Sequence, residues 1–300
     1  MERLYIYNED FLLRGKARNF LKKILGSAGG PEAVFESLLN GLKELNINYT
    51  LNTRPTEPIE YACVLNGVKT LEWAISQKQK GLIKKIIAGP NLVVTPFDEN
   101  AIIKHPAIDK IVVPSQWVKD FYISEAPELA NKIHIWAAGV NVPKPEQSEK
   151  KLDFLIFYKS NPGLYKQVAD YLSVNNYKFS AVVYGKYDRA EYFRLLSLSK
   201  FVIYLSDSES QGLAMFEAWA RNVPTFVWER GFMQSGKHTW QGNTASPYLT
   251  NETGRSFRDF KEFESQILNF ISGSYSPKQY IEQNFTYKIS AQKYLDTVYA

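Results

Sequence analysis

Between Phe201 and Trp228 the chain holds a continuous apolar run, a polar turn with one glycine, a short helical pattern and a second apolar run. Phe201-Val-Ile-Tyr-Leu205 has no polar alternation, which marks a strand buried on both faces of a sheet. Gly212 sits where the turn passes into the helix Leu213–Ala220, Asn222-Val-Pro224 ends that helix, and Thr225–Val227 resumes the sheet. A strand, helix and strand in succession join parallel neighbours, so this stretch commits the chain to a helix-covered parallel sheet.

The same alternation runs through nearly the whole chain. Strands are expected at Leu4–Tyr7, Tyr49–Asn52, Ala62–Leu65, Lys85–Ala88, Ile111–Pro114 and Ile133–Trp136. Helices between them begin near Pro31, Val68, Asp98 and Ser115, with Ser115 placed as a helix cap. Residues 143–151 are polar, proline-bearing and without apolar period, and read as a linker. A second alternating set follows: strands Phe154–Tyr158, Ser180–Tyr184, Phe201–Leu205 and Thr225–Val227, and helices Leu164–Leu172, Arg189–Leu198 and Leu213–Ala220. Phe260–Ile271 and Lys278–Val298 read as two terminal helices. The expected organisation is an N-terminal domain over 1–143, a linker over 144–150, a second domain over 151–278 and a helix over 279–300 that packs back on the first domain.

The turn carries the chemistry. Glu209 and Glu217 bracket a helix start, with seven residues between them. A helix start presents unpaired N–H groups and partial positive charge, which suit a phosphate. Carboxylates beside it are fitted instead to accept hydrogen bonds from hydroxyls. A group with both phosphate and hydroxyls, such as a nucleotide sugar, answers that pattern. Spacing alone is weak: Glu36 and Glu44 share it in an amphipathic helix, and the alternative for Glu209 and Glu217 is two solvated helix-end carboxylates.

Taken with the flanking strands, Glu209, Gly212 and Glu217 resemble the donor-site signature of retaining glycosyltransferases of the glycosyltransferase B fold, family four in particular. The resemblance is strong over 201–228, looser over the rest of 26–299, and implies an α/β fold of two Rossmann-like doubly wound domains facing across a cleft. It further implies that Glu217 holds ribose hydroxyls, that Glu209 holds the transferred sugar, and that the amides of Ser210, Gln211, Gly212 and Leu213 meet the diphosphate. Gly29 and Gly30 match a glycine-rich loop that faces the diphosphate; an ordinary strand-to-helix turn is the other reading. Lys159 and Lys166 stand near the family's cations, where they would neutralise the departing diphosphate; otherwise they are surface lysines. Gly185 and Tyr187 fall in the loop that packs on the nucleotide base, although a tyrosine at a strand end also serves as packing. Trp136–Asn141 resembles the segment before the interdomain linker, with Asn141 in place of the usual aspartate.

Composition narrows the alternatives. An apolar fraction of 45% over 300 residues supplies full cores, and a net charge of +5 suits an anionic ligand without requiring nucleic acid. One cysteine, Cys63, in a buried-strand setting rules out a disulfide framework. His105, His134 and His238 are scattered, with His134 read as core and His238 as loop, so no metal or other cofactor is expected. The start of the chain lacks a signal-peptide run, and no segment nears the roughly 20 apolar residues of a membrane span; a cytoplasmic location is expected. Residues 11–25 hold five cations and no acid, which fits either peripheral contact with an anionic membrane or a basic acceptor-side loop.

The activity implied is metal-independent transfer of a hexose-type sugar from a nucleoside-diphosphate sugar to a hydroxyl of a glycan, lipid-linked or other acceptor. Two alternatives use the same cradle: a nucleotide-sugar epimerase or a phosphorylase, and a non-catalytic nucleotide-sugar-binding module.

Overall fold

The computed structural model describes residues 3–8, 30–144 and 149–300. They form two units, Met1–Gly139 with Tyr287–Ala300, and Val140–Thr286.

The first unit is a parallel sheet of six strands: β1 Leu4–Tyr7, β2 Tyr49–Leu51, β3 Ile59–Asn66, β4 Ile83–Asn91, β5 Lys110–Val113 and β6 Ile133–Ile135. Their order is β2-β1-β3-β4-β5-β6, with Ile6 opposite Cys63 and Cys63 opposite Ile87. Ile6, Ala62, Cys63, Val64, Ile86 and Ala88 are all fully buried, as unbroken apolar runs require. Helices α1 Gly30–Glu44, α2 Val68–Gln79 and α3 Gln116–Glu125 belong to this unit. Ser115 occupies the cap position of α3, but its hydroxyl makes no cap bond and is buried without a described partner. No helix of ordinary hand starts at Asp98. Glu99, Asn100 and Ala101 take positive φ of 51°, 57° and 56°, and Asp98 folds its carboxylate onto the amides of Val94 and Thr95. His134 is half-buried rather than core; burial, then Lys110 and Lys119, hold its imidazole below the usual range.

The second unit has five parallel strands: β7 Leu152–Tyr158, β8 Phe179–Val183, β9 Ser199–Leu205, β10 Thr225–Trp228 and, further on, Gly254–Phe257. Between the last two lies an antiparallel hairpin, β11 Phe232–Ser235 and β12 His238–Gln241, so Gly254–Phe257 is β13. The hairpin and β13 were not expected from the sequence, and His238 lies in a strand. The hairpin residues are mostly half-exposed and polar, so no apolar run announces them; Gly236, with φ of +58°, makes the tight turn. Helices α4 Pro162–Val174, α5 Arg189–Leu198, α6 Leu213–Trp219, α7 Phe260–Ile271 and α8 Pro277–Asn284 accompany this sheet. Asn161, Asp188 and Asp259 cap α4, α5 and α7 by accepting from the amides of Leu164, Ala190 and Glu262. One core face gathers Phe154, Ile203, Phe226, Phe257, Phe263 and Phe270.

The run Lys278–Val298, expected as one helix, is two. Helix α8 ends at Asn284, and α9 spans Tyr287–Tyr299. The break assigns them to different units. Phe285 packs on Phe216 of the second unit, whereas α9 packs on α1. Trp136 closes the first unit at its exit: its indole N–H donates to the Ser290 carbonyl at 2.9 Å, and its ring meets Tyr294 edge-on.

Candidate functional site

The second sheet runs β13-β10-β9-β7-β8. Its first strand in sequence, β7, is flanked by the second and the third, so chain connections diverge between β7 and β9. In open parallel sheets that switch point opens a crevice at the strand carboxyl ends. Tyr158 pairs with Leu205 at those ends, and the Lys159 amide donates to the Leu205 carbonyl at 2.9 Å. Lys159 and the Ser206–Gly212 turn are therefore neighbours although 50 residues separate Lys159 from Glu209.

Three donors converge on one oxygen of Glu209. Lys159 Nζ lies 2.9 Å from Oε1, the Ser206 hydroxyl 2.8 Å and the Tyr204 hydroxyl 3.0 Å. The Glu209 amide in turn donates to the Thr244 carbonyl at 2.7 Å, which ties the turn to the loop after the hairpin. Burial, reinforced by the Glu209 charge, holds the Tyr204 hydroxyl far above its usual range, so it stays a proton donor. Lys159 Nζ also sits 4.7 Å from the centre of the Tyr184 ring.

Glu217 lies on α6 and is only 7% exposed. Arg189, the first residue of α5, donates to its Oε1 from Nε at 2.9 Å and from a terminal nitrogen at 2.5 Å. Burial raises the Glu217 carboxyl above the usual range, and Arg189 and Arg221 pull against it. Tyr192, from α5, donates to the Ala214 carbonyl at 2.8 Å and so anchors the first turn of α6. Gly212 precedes that turn with φ of +87°, a conformation that favours glycine. Gln211 is 5% exposed and Ser210 is exposed, with Leu213 between these extremes.

Tyr187 lies electrostatically between the two acids. Burial raises its hydroxyl first, and the charges of Glu217 and Glu209 both add to that. Its ring packs on Phe157 at 5.8 Å and on Tyr192 at 5.4 Å. Gly185, φ +75°, turns the chain just before it, with open space where a Cβ would stand. The structure thus brings together Lys159, Glu209, Glu217 and Tyr187, together with the 210–213 turn. It does not bring Lys166 to them: that lysine is 79% exposed on α4 and pairs with Asp170 one turn along at 3.0 Å. Gly30 is the exposed first residue of α1, while Gly29 and the basic segment 11–25 lie outside the described residues.

Sequence reading missed Arg189, Tyr204 and Ser206. Arg189 looked like an ordinary helix start, and Tyr204 like one more apolar strand residue. The available signal was position: Ser206 immediately follows a strand end at the switch point.

Among the described residues no cluster of three metal-capable side chains occurs, and no helix is long and apolar enough to cross a membrane.

No family model and no curated protein matches the chain in sequence. Solved structures match in fold. A lipopolysaccharide outer core galactosyltransferase, WaaB, aligns over 100% of this chain and 99% of its own, with 12% identity and a TM-score of 0.64. WaaG, described as a glycosyltransferase involved in lipopolysaccharide biosynthesis, aligns over 98% and 99%, with 7% identity and a TM-score of 0.56. The UDP-GlcNAc 2-epimerase of Methanocaldococcus jannaschii aligns over 100% of both chains, with 12% identity and a TM-score of 0.50. Two Rossmann-like units in this arrangement of strands constitute the glycosyltransferase B fold.

Proposed function

We propose that the protein is a retaining glycosyltransferase that moves a hexose-type sugar from a nucleoside-diphosphate sugar to a hydroxyl acceptor, without a metal. The observation that carries this reading is the pairing of each acid with a cation, Lys159 with Glu209 and Arg189 with Glu217, around the switch point of the second sheet. Glu217, held by Arg189, accepts hydrogen bonds from the ribose hydroxyls. Glu209, fixed through Oε1, accepts from hydroxyls of the transferred sugar. Lys159 and the amides of Ser210–Leu213 face the diphosphate, whose charge grows as the glycosidic bond breaks. The loop at Gly185 and Tyr187 borders the base, and the resemblance also assigns Gly29 and Gly30 to the diphosphate. Lys166, exposed and paired with Asp170, is left out of this charge set.

The acceptor oxygen bonds to the anomeric carbon on the face from which the diphosphate departs. The acceptor proton passes to the leaving phosphate oxygen, so no protein carboxylate needs to act as base, and attack on that same face needs no protein nucleophile. The acceptor is a glycan or a lipid-linked or other hydroxyl compound, and a cytoplasmic setting suits that class; the basic segment 11–25 is either a contact for an anionic membrane or an acceptor-side loop.

The test is thermal stabilisation by UDP-, GDP-, ADP- and CMP-sugars without added metal, compared with Glu217→Ala. A donor at about 100 times its Kd stabilises by about 2.7 kcal/mol, and the variant should lose that gain. Equal stabilisation of both proteins refutes the role of Glu217. The full-length match to an epimerase supports a second reading on the same cradle. Sugar interconversion without an acceptor would favour it; transfer only when an acceptor is present favours the first.

A further inference from the structure

The second unit contains a cavity of about 690 Å³ whose lining, among the described residues, includes Lys144, Lys150, Arg194, Arg221, Lys278 and the ring of Phe193, and no aspartate or glutamate. It lies against α5, the chain just after α6 and the first turn of α8. Its volume falls in the range of small-molecule sites, about 300–1,000 Å³.

Among the described residues no carboxylate ion pair holds Lys150, and the one at Lys278 is long. Lys150 is an exposed residue, but its ammonium meets the Leu196 carbonyl at 3.3 Å in a part-buried setting, and burial there pushes it below the usual lysine range. Lys278 is 23% exposed; its amine reaches the Pro143 carbonyl at 3.4 Å and Glu282 only at 3.8 Å. Arg194 is held by Glu191 on its own helix, and Arg221 lies 3.7 Å over the Phe193 ring while donating to the Glu217 carbonyl. Cations gathered around a concave, partly desolvated surface repel one another and focus positive potential into it. Guanidinium forks and ammonium points together match phosphate oxygens.

We infer that this cavity is a binding site for a small phosphate-bearing polyanion, separate from the proposed donor cradle. The ligand carries two or more phosphate groups, or a phosphate with a further acid, because several cations converge on one volume. The Phe193 ring at the lining carries the guanidinium groups of Arg221 at 3.7 Å and Arg189 at 5.3 Å. Arg221 links this site to the carbonyl of Glu217, so occupancy bears on the helix that carries that acid.

The test is calorimetric titration of the full chain with inorganic tripolyphosphate. Lys159→Ala, on the donor side, should keep a binding event, whereas Lys150→Ala/Lys278→Ala should weaken it at least tenfold. Lys144→Ala/Arg194→Ala provides a second pair on more exposed side chains and should weaken it likewise, with folding checked by circular dichroism. Vesicles of phosphatidylglycerol, against phosphatidylcholine, separate a free anion from a lipid headgroup. Affinity unchanged in both paired variants overturns the inference. Binding to phosphatidylglycerol vesicles with none to tripolyphosphate overturns it as well. Loss in Lys159→Ala alone would return the anion to the donor cradle and refute a separate site. Failure of every nucleotide sugar to bind leaves this result independent, because the paired variants report on this cavity alone.

Discussion

Replacing Arg189 with alanine removes both described hydrogen bonds to Glu217 Oε1 and leaves that carboxylate 7% exposed. Removing one partner of a buried ion pair costs about 3–5 kcal/mol. Arg189 is itself 34% exposed, so screening reduces the expected loss to about 2 kcal/mol at neutral pH. For a unit of this size that corresponds to a fall of about 4–8 °C in Tm. The dependence on pH makes the cause identifiable. Burial already raises the Glu217 carboxyl, and without Arg189 it rises further. A group raised in the folded state holds its proton more tightly there than in the unfolded chain, where a glutamate titrates near about 4.3. Its contribution is present below that unfolded value and is lost as pH climbs through the folded one. The deficit of Arg189→Ala should therefore be full at pH 7 and small at pH 4, measured by thermal melts relative to wild type. In a Glu217→Gln background the substitution should cost little at either pH. A loss equal at both pH values, or unchanged in the Gln background, refutes the account and makes Arg189 a packing residue.

The remaining predictions concern three other positions. Lys159→Ala should reduce kcat by about 10²–10³-fold, as loss of one group that stabilises developing charge does, with Lys159→Arg recovering part; unchanged turnover excludes Lys159 from the reaction. Gly41→Ala should destabilise the first unit by about 1–3 kcal/mol, because its Cβ would stand 2.1 Å from the Tyr287 carbonyl oxygen where α1 and α9 meet; a denaturant melt measures it. Gly212→Ala should cost about 1–2 kcal/mol through its positive φ, since the nearest obstacle, Met215 Cε at 2.4 Å, is the end of a flexible side chain and can move. Gly212→Asn should cost less than Gly212→Ala in the same melt.

Much of the fold is written in the chain because its signals are local. Apolar runs without alternation mark the parallel strands, and Pro31, Val68 and Arg189 stand at or beside true helix starts. What fails to register is structure whose cause is tertiary. The hairpin Phe232–Gln241 buries only Met233 and has no apolar period, and β13 is a short strand completed by its pairing with β10. Asp98 resembles a helix start because it is an acid before a polar pair, but its carboxylate caps Val94 and Thr95 behind it instead. The split at Phe285-Thr286 has no proline or glycine to announce it. It follows from Phe285 packing with Phe216 and Tyr248, while the residues after it belong to the other unit.

The site divides along the same line. Glu209, Gly212 and Glu217 form a continuous motif whose spacing and strand context are visible in one stretch. Lys159 is legible as a strand-end cation, but Lys166 is not separable from it by type; only helix phase turns the second lysine toward Asp170. Arg189 has no motif, and its role depends on α5 being packed beside α6. That difference in partners bears on the proposed reaction. Glu217 is held by two hydrogen bonds from one guanidinium, that of Arg189. Glu209 has three separate donors, so the Lys159 ammonium can turn toward a diphosphate while Tyr204 and Ser206 still hold the acid. On the proposed reading, donor entry exchanges one carboxylate for a more highly charged partner and leaves Glu209 in place. Lys159→Ala should then raise the donor KM as well as lower kcat, while Ser206→Ala, which loosens the acid and keeps the cation, should lower kcat with little change in KM. Identical kinetic signatures for the two variants would contradict this division of labour.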